Sequence, residues 1–197
     1  MKTPHQEQAI ADAAIRVIVH QGFDVVSIRK VAAEAKVALG TVQYFMGTKE
    51  GLLIKVLRRS VARQSDRIEQ LQFSPSMKPV DRLSRSLLEL LPTGEVQRED
   101  AALWVILGAA ASTRPLLAQH YDQALTLFRE SLIHAIGRFL EAQGKSNSAE
   151  EVKQTARLIT ALVNGITLDN LNSPYSTQLV ETIHRDLLAG LSRITGA

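Results

Sequence analysis

Helical periodicity constrains this chain more than any other feature of its sequence. In almost every segment the apolar residues recur three and four positions apart, as they do on one face of an α-helix. The alternation of apolar and polar residues that marks half-buried strands is nearly absent. The sequence therefore predicts an all-α protein of about nine helices, over 8–20, 27–35, 39–44, 48–70, 80–91, 98–111, 115–142, 149–171 and 176–194.

Residues typical of turns and helix caps separate these helices. Ser27 and Thr48 are suitable N-caps for the second and fourth helices, and Ser148 with Glu151 has the spacing of a capping box. Breaks that contain proline or glycine fall at 74–79, 92–94, 113–115, 144–148 and 172–174. The predicted boundaries therefore depend on local chemistry as well as on periodicity.

Composition and charge narrow the class of protein. Without cysteine there is no disulfide framework, no thiolate metal site and no cysteine nucleophile. The first ten residues lack the apolar run of a signal peptide, and no stretch reaches the roughly 18 apolar residues that span a bilayer, so we expect a cytoplasmic protein without a membrane partner. Residues 1–60 contain nine Lys or Arg and five Asp or Glu, a net charge of +4, whereas the remaining residues sum to −1. This asymmetry is expected if the first third meets phosphates.

The second and third predicted helices have the spacing of a helix-turn-helix unit. Only three or four residues separate them, and Val37 and Val42 are the apolar anchors of the second. The residues that we expect on its outer face are Gly40, Thr41, Gln43 and Tyr44. The hydroxyl groups suit phosphates, the Gln amide suits a base edge in the major groove, and glycine permits close approach of the backbone. A packing module whose polar side chains face water is the alternative.

An ordered pattern extends across this whole N-terminal part. It comprises VSIRKVAAEA (26–35), VALGTVQYF (37–45) and TKEGLL (48–53). From about residue 8 to residue 57 the chain resembles the N-terminal domain of TetR-family transcriptional regulators, with the same helix order and spacing. The resemblance implies a three-helix, helix-turn-helix DNA-binding domain over 1–57 and an effector-binding and dimerisation domain over 58–197.

The resemblance also implies roles for individual residues. It implies that Ser27 and Thr41 contact phosphates and that Tyr44 and Lys49 clamp the DNA backbone. It also implies that base edges are contacted by Arg29, Leu39 and Gln43. Three positions depart from the usual pattern. Lys36 replaces a turn glycine, which either strains the turn or adds a phosphate contact. Ala38 replaces a frequent Ser or Thr and so removes an N-cap worth about 1 kcal/mol, and Met46 stands where an aromatic residue is usual.

The body of the chain resembles the family in architecture, with a loose likeness around Trp104 and residues 114–116. Family bodies bind a small effector among their middle helices and dimerise through their last two helices. Candidate pocket residues are Leu103, Trp104, Leu107, His120, Phe128 and His134, with plain core as the alternative. Candidate dimer residues are Ile159, Leu162, Val163, Ile166, Val180, Ile183, Leu187 and Leu191, although burial within one protomer explains part of this apolar surface.

No motif in the sequence indicates an enzyme. The five histidines are scattered, and neither a close metal-ligand pair nor a phosphate-binding glycine loop is present, so we expect no catalytic site, metal or cofactor. The sequence instead predicts a homodimeric repressor that binds a palindromic DNA operator and is released by a small, largely apolar effector. The alternatives are a DNA-binding dimer without an effector and a small-molecule carrier without operator binding.

Overall fold

A computed structural model describes residues 4–142, 144 and 148–196. Over this part the chain forms nine α-helices and no strand, as the periodicity predicts. They are α1 (Pro4–Gln21), α2 (Ile28–Glu34), α3 (Leu39–Met46), α4 (Lys49–Glu69), α5 (Pro79–Leu88), α6 (Glu95–Ala111), α7 (Pro115–Ala142), α8 (Ala149–Asn170) and α9 (Thr177–Thr195). The predicted break at 144–148 includes residues 145–147, which lie outside the described residues. None of the described helices is both long and apolar enough to cross a membrane.

Polar side chains cap the starts of four of the described helices, and at α9 the Ser176 hydroxyl oxygen accepts a hydrogen bond from the N–H of Leu179 at 3.1 Å. The Ser27 hydroxyl oxygen accepts a hydrogen bond from the N–H of Lys30 at 3.2 Å, and Thr48 caps α4 in the same way. Ser148 and Glu151 form the predicted capping box at the start of α8. Each cap provides a partner for helix N–H groups that would otherwise have none, and it thereby stabilises the first turn of its helix.

The described residues pack as two compact units, of which the first contains residues 4–63 and 102–124. In it α1 contacts α2 and α3, and α2 contacts α3. Its fully buried side chains include Ile10, Ile18, Val42, Leu52 and Leu107. This common core holds α2 and α3 in place. The two units are defined by their packing. The predicted boundary at residue 57 between the DNA-binding domain and the rest of the chain stays a prediction.

The second unit contains residues 64–101 and 125–196. In it α9 packs against both α8 and α5. Its fully buried side chains include Leu91 in the turn after α5, Ile136 in α7 and Ile159 in α8. Ile183 and Leu187 of α9 are buried with them. The unit is therefore a helical body whose core is formed by apolar stripes of the kind that the sequence predicts.

The apolar faces of α8 and α9 are largely used inside the second unit. Among the residues predicted for a dimer interface, Ile159, Ile183, Leu187 and Leu191 are 0% exposed, Val163 and Ile166 are 7% exposed, and Leu162 and Val180 are half-buried. A side chain with no exposed surface in one protomer has none left to bury against a second. The fully buried residues therefore pack the protomer, and an interface on these helices has to use their outer faces.

Candidate nucleic-acid interface

The turn between α2 and α3 is short and strained at one residue. Lys36 has a φ of +54°, in the left-handed region that disfavours residues with a Cβ atom. The N–H of Val37 donates to the carbonyl of Ala32 at 3.0 Å and closes the turn. Ala38 precedes α3 and provides no side-chain cap. Lys36 therefore adopts a conformation that favours glycine, and the missing cap at Ala38 is confirmed, while a phosphate contact of Lys36 stays a prediction.

Helix α3 has a buried apolar side and an outer side that faces solvent. Val42 is 0% exposed and Met46 is 2% exposed, so these two side chains anchor the helix. The outer side carries the exposed Leu39, Gly40, Gln43 and Tyr44 and the half-buried Thr41. An external partner can therefore meet this side of α3 without unpacking the helix.

Helix α2 contributes a second set of exposed groups. Arg29 and Lys30 are exposed, and the Lys30 ammonium donates to the Gln21 side chain at 3.1 Å. Ser27 accepts the capping hydrogen bond through its hydroxyl oxygen, which leaves its O–H as a donor. The N-terminus of α2 thus offers a hydroxyl donor and exposed cations on a helix that packs against α3.

Acidic side chains of the first unit pair with other cations of the same unit. Arg59 makes two hydrogen bonds of 2.9 Å to Asp12, and Lys55 pairs with Glu7 at 2.6 Å. Lys55 also donates to the carbonyl of Phe45. These pairs join α1 to α4, whereas Arg29, Lys36 and Lys49 lie exposed around α2 and α3. Three exposed cations that are open to an outside anion therefore lie beside the helix-turn-helix.

An aromatic ring beside Lys49 is a feature that the sequence did not reveal. The Lys49 ammonium lies 5.6 Å from the centre of the Phe23 ring, and the Arg114 guanidinium lies 4.8 Å from it. Arg114 also donates to Asp24 at 3.1 Å. Since an exposed cation–π contact stabilises by about 0.5–1 kcal/mol, the ring helps to position Lys49. Ninety residues separate Arg114 from Asp24, and no spacing rule relates them.

The first turn of α4 also carries an acid whose charge is stabilised. Hydrogen bonds from the backbone N–H of Glu50 and from the Thr48 hydroxyl lower the pKa of the Glu50 carboxyl. A carboxylate near a helix N-terminus interacts favourably with the helix dipole, whereas the neighbouring Lys49 does not. Glu50 therefore favours the start of α4, while Lys49 is suited to an anion outside the protein.

The residues predicted for an effector pocket have several different environments. Leu103 and Leu107 are 0% exposed in the core of the first unit. The Trp104 indole N–H donates to the Ser60 hydroxyl at 3.1 Å, and its ring lies 5.3 Å from that of Tyr121. The hydrogen-bonding group that made Trp104 a candidate is thus used within the first unit.

The other pocket candidates lie farther along the chain. Phe128 is half-buried against the core of the second unit. His120 Nδ1 lies 3.3 Å from the Gln123 side-chain oxygen, and the exposed His134 has its Nδ1 2.8 Å from the carbonyl oxygen of Glu130. Both histidines thus interact within their own helix, and the pocket stays a prediction. In the described part of the chain, no group of three or more metal-ligating side chains could hold an ion.

The fold and the exposed side of α3 define a helix-turn-helix DNA-binding regulator, and comparison with known families agrees. Residues 10–56 match the family model of bacterial regulatory proteins of the tetR family. Residues 79–193 match the C-terminal model of BetI-type transcriptional repressors. The chain belongs to the TetR family of transcriptional regulators, and its N-terminal domain is the DNA-binding domain of that family.

Individual relatives match most of the length of this chain. The chain is 25% identical over 170 residues to the HTH-type transcriptional regulator PksA of Bacillus subtilis. The aligned residues cover 86% of this chain and 80% of PksA. A TetR-family regulator from Rhodococcus sp. superposes with a TM-score of 0.84 at 24% identity, covering 98% and 100% of the two chains. The multidrug binding protein EbrR, solved in complex with ethidium, has a TM-score of 0.64 at 26% identity, covering 96% and 98%.

Proposed function

We propose that this protein is a repressor that binds a palindromic DNA operator as a homodimer and is released by a small, largely apolar effector. The observation that carries the proposal is the outer side of α3, where Gln43 and Tyr44 are exposed while Val42 and Met46 anchor the helix. A helix held this way can enter a major groove and keep its packing.

The DNA contacts divide by chemistry. Phosphates are bound by Ser27, Thr41, Tyr44 and Lys49, with Lys36 as a further cation, and base edges are read by Arg29, Leu39 and Gln43. Gly40 supports this assignment, because a Cβ atom built there meets no other atom within 4 Å. Packing inside the protein therefore does not require glycine at this position, whereas close approach to a duplex favours it.

The dimer uses the outer face of α8. Leu158 is 48% exposed and Leu168 is 58% exposed, and Ala161 and Gly165 lie exposed between them. These residues recur at helical spacing, so they form one apolar stripe along α8 that a second protomer can cover. Two such protomers related by a two-fold axis present their α3 helices to half-sites about 34–36 Å apart.

The effector acts by binding one conformation of the dimer more tightly than the other. An effector that prefers the DNA-free conformation lowers the affinity of the dimer for its operator. The largest possible decrease equals the ratio of the effector's own affinities for the two conformations. The likeness to EbrR, a protein solved with ethidium, supports a small-molecule effector for this chain. Trp104 provides an intrinsic fluorescence signal, because it is the one tryptophan in the sequence.

Selection of bound fragments from random duplex DNA, at low and moderate salt, tests this function. We expect an inverted repeat to be recovered, with affinity that falls steeply as salt rises. Leu158→Arg should leave the selected half-site unchanged but convert the dimer to monomer in sedimentation. Gln178→Arg, on the exposed side of α9, is the matched control. Binding that is weak, insensitive to salt and without sequence preference would contradict the proposal.

A further inference from the structure

A basic groove lies between α7 and α8 in the second unit. Its charged lining residues are Arg129, Lys153 and Arg157, so every charge on its walls is positive. The groove has a volume of about 580 Å³, which falls within the range of small-molecule sites. The proposed contacts with the operator do not use it.

The rest of the lining is apolar or neutral. Ile133 from α7 and the exposed Ala161 from α8 provide apolar surface, whereas Ala156 is only 2% exposed and adds little. Thr160 also lines the groove, and its hydroxyl donates to the carbonyl of Ala156 at 2.8 Å. A ligand that satisfies this lining needs an anionic head for the cations and an apolar part for the aliphatic side chains.

The cations are placed to act on one head group. Lys153 and Arg157 are one helical turn apart and therefore lie on the same side of α8. Arg157 pairs with Glu150 at 3.1 Å, but the two side chains are 61% and 71% exposed. Because such exposed pairs contribute little, an anion in the groove can compete with Glu150 for the guanidinium.

The cationic side of the groove lies next to the apolar stripe assigned to the dimer. Successive residues of an α-helix are about 100° apart, which puts Lys153, Arg157 and Asn164 on one side of α8. By the same geometry, Leu158 and Gly165 lie about a third of a turn away from them. Ala161 belongs to both surfaces and Leu168 lies about 20° from Arg157, so the groove borders the proposed dimer surface, and its cations lie beside that surface.

We propose that this groove binds an amphiphilic carboxylate, with the carboxylate between Lys153 and Arg157 and the alkyl chain against Ile133. Charge-assisted hydrogen bonds hold the head, and burial of methylene groups holds the chain. The site does not depend on operator binding, so it is tested on the protein alone.

Dodecanoate is the probe, and isothermal titration calorimetry on the full chain measures its binding. The test variant is Lys153→Ala/Arg157→Ala. The matched control is Arg138→Ala/Arg185→Ala, which removes two exposed cations from α7 and α9 outside the groove. Dodecanol, dodecyltrimethylammonium and inorganic phosphate separate the contributions of chain and head.

We expect dodecanoate to bind with a dissociation constant below about 1 mM and the test variant to weaken binding at least about tenfold. The control variant should bind as the unchanged protein does. Equal binding of dodecanol or dodecyltrimethylammonium would overturn the role of the cations, and equal binding of phosphate would overturn the role of the chain. Dodecanoate binding that survives in the test variant would place the site elsewhere. Operator binding is measured separately, so the groove and the operator proposal can each fail without the other.

Discussion

Arg67 on α4 donates a hydrogen bond of 2.8 Å to Asp100 on α6, and the Asp100 side chain is only 1% exposed. The same guanidinium also binds the carboxylate of Glu89 at 3.2 Å. One cation therefore holds two acids together in the second unit. Since removing a charged partner from a buried carboxylate is costly, this pair matters more to stability than the exposed pairs do.

Replacing Arg67 with Met tests this relationship. The variant keeps an unbranched side chain but removes the guanidinium that Asp100 and Glu89 share, so we expect the free energy of unfolding to fall by about 2–4 kcal/mol. Urea denaturation followed by circular dichroism measures the change. Arg185→Met on the exposed side of α9 is the control, with an expected change within about 0.5 kcal/mol. Equal effects of the two substitutions would contradict the assignment.

Gly40→Ala should separate folding from DNA binding. Alanine favours a helix over glycine by up to about 1 kcal/mol, and a Cβ at this position meets no atom of the protein, so thermal stability should rise. Affinity for the selected DNA should fall about tenfold, because overpacking a close interface costs about 1–3 kcal/mol. Gly137→Ala in α7 is a matched control, because its Cβ also meets nothing. It should stabilise the protein without changing DNA affinity measured by fluorescence anisotropy.

The helices could be predicted from sequence because their determinants are local. Ser27 and the pair Ser148–Glu151 act as caps in the structure as their spacing indicates. The outer side of α3 also follows from local sequence, since burial of Val42 and Met46 determines which residues face solvent. Local chemistry thus determines most of the fold and the composition of the candidate DNA interface.

Features that depend on distant residues could not be predicted in this way. Periodicity shows that Ile183 and Leu187 face an apolar environment, but it does not show whether that environment is the same protomer or a second one. Both are fully buried in the protomer. Likewise, Arg114 contacts Phe23 although 91 positions separate them in the sequence, and no spacing along the chain reveals this contact.

Lys36→Gly should relieve the strain in the turn before α3. Glycine adopts a φ of +54° without a steric penalty, although it loses more chain entropy on folding, so we expect a gain of about 0.5–1 kcal/mol in stability. Lys36→Asn also tolerates this conformation and removes the charge. If Lys36 contacts a phosphate, both variants should bind DNA more weakly in anisotropy titrations. Unchanged affinity in both would leave Lys36 with a purely conformational effect.

Lys49→Ala and Gln43→Ala should weaken DNA binding in different ways. Loss of a phosphate contact at Lys49 should weaken binding to all sequences alike and reduce the slope of log affinity against log salt by about 1. Loss of the amide at Gln43 should mainly change which bases are preferred. Anisotropy titrations with the selected site and single-base variants measure both effects. Lys78→Ala, an exposed lysine before α5, is the control that should change neither. Sequence preference that survives in Gln43→Ala would refute base reading by this residue.

The capping box at α8 should make stability depend on pH in the acid range. Hydrogen bonds from the backbone N–H and then the hydroxyl of Ser148 lower the pKa of the Glu151 carboxyl from its usual value of 4.5. Because the folded pKa is lowered, the contribution of this charge is complete above the unfolded pKa and is lost as pH falls through the folded pKa.

Glu151→Gln retains the hydrogen-bonding geometry of the box but does not titrate. The unchanged protein should therefore be more stable than this variant at about pH 7, with a difference that shrinks as pH falls below about 4. Denaturation midpoints of both proteins across this range measure the difference. Glu181→Gln, an exposed acid on α9 outside any cap, is the control. A difference in stability between the unchanged protein and Glu151→Gln that stays constant with pH would show that the charge of Glu151 does not contribute to the stability of α8.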